Sequence, residues 1–322
     1  MNQGSLVYNN VSTLNGESSG MNTTNLVQSN LTRTIPYSSY SINFDGIDGF
    51  ISIYDGVAGS GPSSLKFTST DSFSISCWVK MVGTSGQENI ISFRGTPLIW
   101  LYRNGTSIGF RIRGNGSATE SFIDKTTTNS AWHNIVAIRD YNGGSPQLKL
   151  YIDNVAATPV TDNTSGDFDT YDKFSIGNDN HSGGRFWFDG NTSNVAIFNS
   201  TLTEDDILNL YNNGVPQDLS NFRITPTAWY PMDQSYTYFN GSVLVARDVI
   251  NSNDGTGENI IQENIVGNAP GSEANGIGTN LTIADLKGDM QNSINNSYSI
   301  NMADYADGVT NPADSGRSTN VP

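Results

Sequence analysis

The stretch Ile108-Gly109-Phe110-Arg111-Ile112-Arg113-Gly114 alternates apolar and basic residues. In an extended chain successive side chains point to opposite faces, so Phe110 and Ile112 share one face while Arg111 and Arg113 share the other. That is a strand from a sheet with one buried and one wet face. Strand-length pieces recur on both sides of it. "GFISIYD", "FSISCWVK", "NIISFRG", "LIWLYRN", "NIVAIRDYN", "LKLYIDN", "KFSIGND" and "NVAIFNS" follow one another between turn residues from Tyr40 to about Leu202. Asn104-Gly105, Asn115-Gly116 and Asn142-Gly143 mark hairpins, because Asn and Gly tolerate positive φ.

One helix interrupts this pattern, at "LTEDDILNLYNNG". Thr203 is a good N-cap with Asp206 at the third helical position, and Glu204 and Asp205 favour the positive helix end. Ile207, Leu210 and Tyr211 form the apolar stripe, and Gly214 and Pro216 close the segment. Many strands followed by one short capped helix predict a two-sheet sandwich with a lid.

Composition agrees. Of 322 residues only 36% are hydrophobic and 15% charged, which leaves Asn, Ser, Thr and Gly to supply turns between short strands. With 31 acidic and 16 basic residues the net charge is -15, a field that repels phosphate backbones, so nucleic acid is not an expected partner. The single cysteine, Cys77, lies in the apolar run "FSISCWVK" and reads as a small buried hydrophobe. No apolar run reaches the length of a membrane span, and "MNQGSLVYNN" lacks the pattern of a signal peptide.

Taken in order, "SINFDGIDGFISI", "FSISCWVK", "WHNIVAIRDYN", "LKLYIDNV", "FSIGND" and "FDGNTSNVAIFNSTLTEDDI" resemble the laminin-G-like jelly roll of the concanavalin A-like lectin/glucanase superfamily, over roughly residues 38–218. Trp132-His133, the Tyr151–Asn154 turn and the closing helix carry the likeness as a set. The resemblance implies an all-β antiparallel two-sheet jelly-roll sandwich with one short capping helix. It also implies a rim that often holds calcium, although Ser193-Asn194 stand where the family commonly has an Asp-Glu pair.

The remaining segments are expected to be an N-terminal arm, 1–37, and an irregular partial second unit or assembly arm, 219–322. The pentapeptide Ser39–Asn43 (SYSIN) returns at Ser297–Asn301, and "GMNTTNLVQSNL" (20–31) is similar to "GIGTNLTIADL" (276–286). These echoes predict one complete jelly roll followed by the opening of another. The family normally places a tryptophan-bearing strand before "SINFDG". Here the only such strand is "TAWYPMD", Thr227–Asp233, so Trp229 and Tyr230 are expected to be buried where the tail pairs with a jelly roll, its own or a neighbour's.

Catalysis has little support. Glycosidases need two carboxylates flanking the scissile bond, and the Glu-x-Asp-x-x-Glu strand of related glucanases is absent. Glu88, Glu120 and Glu204 fall in loop, loop and helix start. Gly105-Thr106-Ser107-Ile108-Gly109 has the spacing of a nucleophile elbow but sits between two strands, where a hairpin is the better reading. Calcium is the one cofactor left open, with Asp45, Asp48 and Asp179 as ligands, against the plainer role of turn formers. The calcium-loop-like "SNDGTGENIIQE" begins with Ser252 and is discounted. Trp100, Tyr102, Arg111 and Arg113 would form a glycan-binding surface if they share a wet face, while core packing is the plainer role for the two aromatics.

Two functions follow. The first is a non-enzymatic structural or adhesive protein of a bacteriophage particle (fibre, appendage or capsid decoration), since the chain resembles marine phage virion proteins. Its partners would be copies of itself and other virion proteins, with assembly in the host cytoplasm. The alternative is a carbohydrate-binding module at an extracellular surface that recognises a cell-surface glycan.

Overall fold

The computed structural model describes residues 40–54, 61–82, 86–127, 130–179, 186–233 and 235–271, with the strand residues 17–18 and 286–287. The chain divides into two compact units, residues 36–270 and residues 1–35 with 271–322. In the latter, the described structure is one short antiparallel pairing, Glu17 opposite Lys287 and Ser18 opposite Leu286. The second SYSIN copy and the stretch 20–31 lie outside the described residues. Among the described residues no helix is long and apolar enough to cross a membrane.

Residues 36–270 form two antiparallel sheets of nine strands each. The strands are β1 (Ser41–Asp45), β2 (Phe50–Ile53), β3 (Phe73–Met81), β4 (Gln87–Gly95), β5 (Leu98–Asn104), β6 (Ser107–Arg113), β7 (Ser121–Thr126), β8 (Trp132–Asp140), β9 (Gln147–Ile152), β10 (Val155–Ala156), β11 (Val160–Thr161), β12 (Tyr171–Ile176) and β13 (Asp189–Phe198). After helix α1 (Glu204–Tyr211) come β14 (Ala228–Tyr230), β15 (Thr237–Phe239), β16 (Leu244–Ala246), β17 (Gly255–Glu258) and β18 (Ile265–Val266). The first sheet runs β10-β9-β8-β3-β13-β1-β18, with β11 beside β9 and β14 beside β13. The second runs β15-β16-β17-β2-β12-β4-β5-β6-β7.

The alternation in β5 and β6 shows how sequence selects these faces. Ile99, Leu101, Ile108, Phe110 and Ile112 enter the core between the sheets. Leu98, Trp100 and Tyr102 form a separate small cluster on the other face. Gly105, at φ +60°, makes the tight connection that puts Asn104 opposite Ser107. The glycine-serine elbow pattern is therefore a hairpin, as its setting suggested. Each fully buried Ile or Phe stabilises the sandwich by about 1.5–3 kcal/mol relative to exposure.

The first sheet is apolar on both faces. Val136, Ile138, Ala196 and Phe198 point away from the inter-sheet core and are covered by Leu202, Ile207, Leu210, Leu219 and Trp229. Phe44, Ile75, Trp78, Ile135, Leu150, Ile152 and Phe198 are all buried, as the strand pattern requires. Trp78 stacks on Tyr211 of the helix, with ring centroids 6.1 Å apart. The helix opens with a capping box, in which the Thr203 side chain accepts from Asp206 N and the Asp206 carboxylate accepts from Thr203 N. It ends earlier than the Gly-Pro signal implied, because Asn212 takes up the left-handed conformation at φ 40°. Cys77 is fully buried, and burial pushes its thiol pKa up.

The expected division at residue 218 does not coincide with a break in the structure. Strands β14 and β18 belong to the first sheet, and β15, β16 and β17 to the second. Val195, Ala196 and Ile197 of β13 pair with Tyr230, Trp229 and Ala228, while β17 pairs along β2 from Gly255–Ile53 to Glu258–Phe50. The segment 228–266 therefore completes the first sandwich and does not open a second. A ladder of β13 is thus filled by a strand from downstream of the helix. The calcium-loop-like stretch contains β17 of the second sheet.

Candidate functional site

Residues opposite each other in an antiparallel ladder lie side by side on one face. On the outer face of the second sheet this produces the row Ser52, Ser175, Ser92, Trp100, Arg111, Phe122. A neighbouring row reads Lys173, Arg94, Leu98, Arg113. Three cationic side chains and a guanidinium-aromatic stack thus converge on one patch of a strongly acidic protein.

The stack centres on Arg111. Its guanidinium carbon lies 5.8 Å from the centre of the Trp100 ring, 5.4 Å from that of Tyr102 and 5.8 Å from that of Phe122. Arg94 approaches Trp100 at 5.3 Å, and Phe186 lies against the same indole at 6.1 Å. Contacts of this kind contribute about 0.5–1 kcal/mol each at exposed sites and more when desolvated. Gly109 is what lets Tyr102 lie flat, since a Cβ at 109 would come within 2.3 Å of the tyrosine ring.

Sequence reasoning placed Trp100, Tyr102, Arg111 and Arg113 together, and the structure does bring them to one face. The aromatics are not an open platform, however. Trp100 is 7% and Tyr102 5% exposed, covered by Phe186 and the arginines. They form the floor that orients Arg111. The open aromatic is Phe122, 53% exposed on the edge strand β7, which the sequence reading did not single out. Its signal lies in the alternation of "SFIDKT", where Phe122 and Ile123 must take opposite faces.

Four polar atoms in the first row are buried without a hydrogen-bond partner among the described residues: Ser52 Oγ, Ser92 Oγ, Trp100 Nε1 and Arg111 Nε. All four atoms are sealed from the surface and are not open to a ligand. The remainder of Arg111 is engaged, with Nη1 3.5 Å from Glu120 Oε2, and Arg113 Nη1 lies 3.1 Å from Glu120 Oε1.

Asp45 Oδ1 accepts from the backbone N–H of Ile47 at 2.9 Å and of Asp48 at 3.5 Å, which is the geometry of a turn. Asp48 is exposed beside it, and Asp179 is buried at the end of β12. Among the described residues no group of three or more His, Cys, Asp or Glu is arranged to hold a metal. Ser193 and Asn194 are buried within β13, where the register slips between Ser193 and Ala196, and Ser193 Oγ donates to Tyr40 O and Pro231 O.

The glutamates are similarly committed. Glu88 lies in β4 rather than in the expected loop, forming an ion pair with the fully buried Arg103, whose Nε is 3.1 Å from Oε2. Glu120 bridges two arginines, and Glu204 opens the helix. His133, named in the sequence only as half of the Trp-His motif, has polar partners on both ring nitrogens. Nδ1 lies 2.6 Å from Asp153 Oδ2 and Nε2 3.2 Å from Thr127 Oγ1, while Asp153 Oδ1 accepts from Asn134 N. These bonds tie the start of β8 to the Asp153-Asn154 turn, whose two residues have φ +51° and +62°. The Trp-His and Tyr-x-Asp-Asn motifs are two halves of one structural clasp.

Trp229 and Tyr230, expected to be buried where the tail pairs with a jelly roll, its own or a neighbour's, are fully buried against the chain's own sandwich, with β14 paired on β13. Trp229 N donates to Asp248 Oδ1 at 3.0 Å. Tyr230 donates its hydroxyl to Asn253 O at 2.8 Å, and burial, reinforced by Asp248, raises its pKa.

A sandwich of this kind has known counterparts. No curated protein matches the sequence. Among solved structures, a protein from Bacteroides ovatus ATCC 8483 proposed to bind carbohydrate superposes with a TM-score of 0.52 at 18% identity. That match covers 72% of this chain and 61% of the other. The Ruminococcus gnavus IT-sialidase CBM40 bound to α2,3-sialyllactose gives 0.43 at 13% identity, over 54% of this chain and 99% of that one. A heptameric SAP-like pentraxin from Limulus polyphemus gives 0.38 at 12% identity, over 56% and 89%. Residues 53–208 match the Laminin_G_3 family model of the concanavalin A-like lectin/glucanases superfamily, and the fold they help to build is a lectin-like jelly roll.

Proposed function

We propose that this is a non-catalytic, lectin-like protein that binds carbohydrate on the outer face of its second sheet. The observation that carries the proposal is the open end of the row, Trp100-Arg111-Phe122. It combines an exposed aromatic edge with a guanidinium set over three rings and partly open to solvent. Sugars are recognised by this combination, because an aromatic surface takes the C–H face of a pyranose ring while planar polar groups take its hydroxyls. The Bacteroides ovatus protein of similar fold, itself proposed to bind carbohydrate, is consistent with this role. Glu88, Glu120 and Glu204 are each engaged elsewhere, which leaves none of the three as half of a hydrolytic pair.

Placement on a bacteriophage particle as a fibre, appendage or capsid decoration draws on the sequence features alone and gains no support from these relatives. The test is a glycan array with the intact protein and with Phe122→Ala. Binding that is weakened by the substitution supports the outer face as the site. An array blank for every glycan, or binding unaffected by Phe122→Ala and Arg111→Gln, would sink the proposal.

A further inference from the structure

We infer that the saccharide bound on this face is an acidic one, carrying a carboxylate or sulfate group received between Arg111, Arg113 and Arg94. The inference rests on the outer face being the carbohydrate site and adds the chemical class of the ligand. The protein bears a net charge of -15, yet four of its 16 basic residues, Arg94, Arg111, Arg113 and Lys173, stand in two adjacent rows of one sheet face. The same face carries the carboxylates Glu120 and Asp124 on either side of Phe122. The overall negative field is screened within about 8 Å at physiological salt, so a local cluster of guanidinium groups decides what a docked ligand meets.

Glu120 shows what the cluster accepts. One carboxylate lies 3.5 Å from Arg111 Nη1 and 3.1 Å from Arg113 Nη1, bridging two guanidiniums spaced to take a single anion. Glu120 is itself about one-third exposed, and both arginine side chains are partly exposed at 28% and 34%, so the bridge is open to exchange with an incoming anion. Exposed pairs of this kind contribute little to stability and cost little to replace. Arg94 has no carboxylate partner among the described residues and is held instead over Trp100. Arg111 has Nε buried, which leaves its outer nitrogens to meet a ligand, and of these Nη1 faces Glu120. A guanidinium held over aromatic rings keeps its donors in one plane, which suits recognition of the two oxygens of a carboxylate or of two of the oxygens of a tetrahedral sulfate group. Phe122, beside Arg111 and exposed, is placed to take the apolar face of the same sugar residue.

The experiment measures binding of three defined oligosaccharides to the full-length protein by calorimetry: hexagalacturonate, a sulfated galactan hexasaccharide and the neutral galactan hexasaccharide. The two acidic arms separate carboxylate from sulfate as the source of charge. At least one acidic probe is expected to bind and the neutral one to bind at least about tenfold more weakly, a factor that corresponds to one charge-assisted contact. Affinity should fall as salt is raised from about 0.01 M to about 1 M, where the Debye length contracts from about 30 Å to 3 Å. Arg111→Gln and Arg113→Gln should each weaken acidic binding about tenfold. Glu120→Gln, which removes the internal competitor without touching the aromatic floor, should strengthen it. Neutral and acidic probes bound equally, with Phe122→Ala weakening both, would overturn the acidic-ligand inference and leave the carbohydrate site standing. Acidic binding that is indifferent to Arg111, Arg113 and Glu120 would overturn it as well. Absence of binding to all three probes, with a blank glycan array, would overturn both.

Discussion

The outer faces of the two sheets began with the same backbone and met different fates. On the first sheet, "NIVAI" and "NVAIF" place Val136, Ile138, Ala196 and Phe198 outward, and the chain folds α1, Leu219 and Trp229 over them as a second apolar layer. On the second sheet, "IGFRIR" places Arg111 and Arg113 outward, beside the small cluster of Leu98, Trp100 and Tyr102 with Phe186 and beside the exposed Phe122. A strand that is apolar on both faces demands a cover, whereas one that alternates with charge keeps a surface. The covered face holds the fold together. The charged face is what remains available for a ligand.

The largest expected effect follows from removing the cover. Truncation after Asp218 deletes β14 to β18 together with Trp229 and Tyr230, leaving open edges in both sheets. The truncated chain should lose its cooperative thermal transition, followed by circular dichroism. An unchanged melting temperature would show that the two faces are independent of the tail.

Single substitutions then compare the faces directly. Trp229→Ala should cost about 3–5 kcal/mol in urea denaturation, as for large aromatics removed from a closed core. Trp100→Ala should cost less, on the order of 2 kcal/mol, because its neighbours are two partly exposed arginine side chains and a small satellite cluster. Equal losses would erase the distinction between a structural and a binding face.

The helix that covers the first sheet supplies a pH-dependent contrast. Burial alone would raise the Asp206 pKa, but hydrogen bonds from Arg223 and Thr203 outweigh it and hold the carboxyl below its ordinary value. A depressed folded-state pKa contributes stability above the unfolded value, about 3.9, and that contribution is lost as pH falls through the folded value. Asp206→Asn should therefore cost about 1 kcal/mol at neutral pH, the scale of a lost cap. The gap between wild type and variant should close below about pH 4. A gap that widens in acid would mean that another carboxylate governs this cover. The smallest effect on stability is expected from Arg111→Gln, below about 1 kcal/mol, since the side chain is partly exposed and its charge is not required by the core. Its consequence should appear in ligand binding instead.

How far these faces were legible in advance differs residue by residue. The alternation at 108–113 sorted Phe110 and Ile112 from Arg111 and Arg113 without any tertiary information, because a strand's two-residue period is a local property. The capping box at Thr203 and Asp206 was equally plain, since its partners lie one helical turn apart. The clasp between His133 and Asp153 was not, for the two residues are joined only by the pairing of β8 with β9. Phe122 was overlooked for a related reason: its importance comes from Arg111 on the next strand, not from its own neighbours in sequence.

By itself, then, the amino-acid sequence determined that this chain forms short antiparallel strands, which side chains of each strand share a face and where the helix begins. The need for a tryptophan-bearing strand from the tail was what the family resemblance implied. Tertiary structure alone decided that β14 joins β13 of the same chain, that five late strands finish both sheets, and that Trp100 and Tyr102 lie beneath Arg111 as its floor. Period and capping act over a few residues and are written locally. Strand order, and the choice of what covers a face, depend on contacts between segments far apart along the chain, whose closure is repaid only when the whole sandwich assembles.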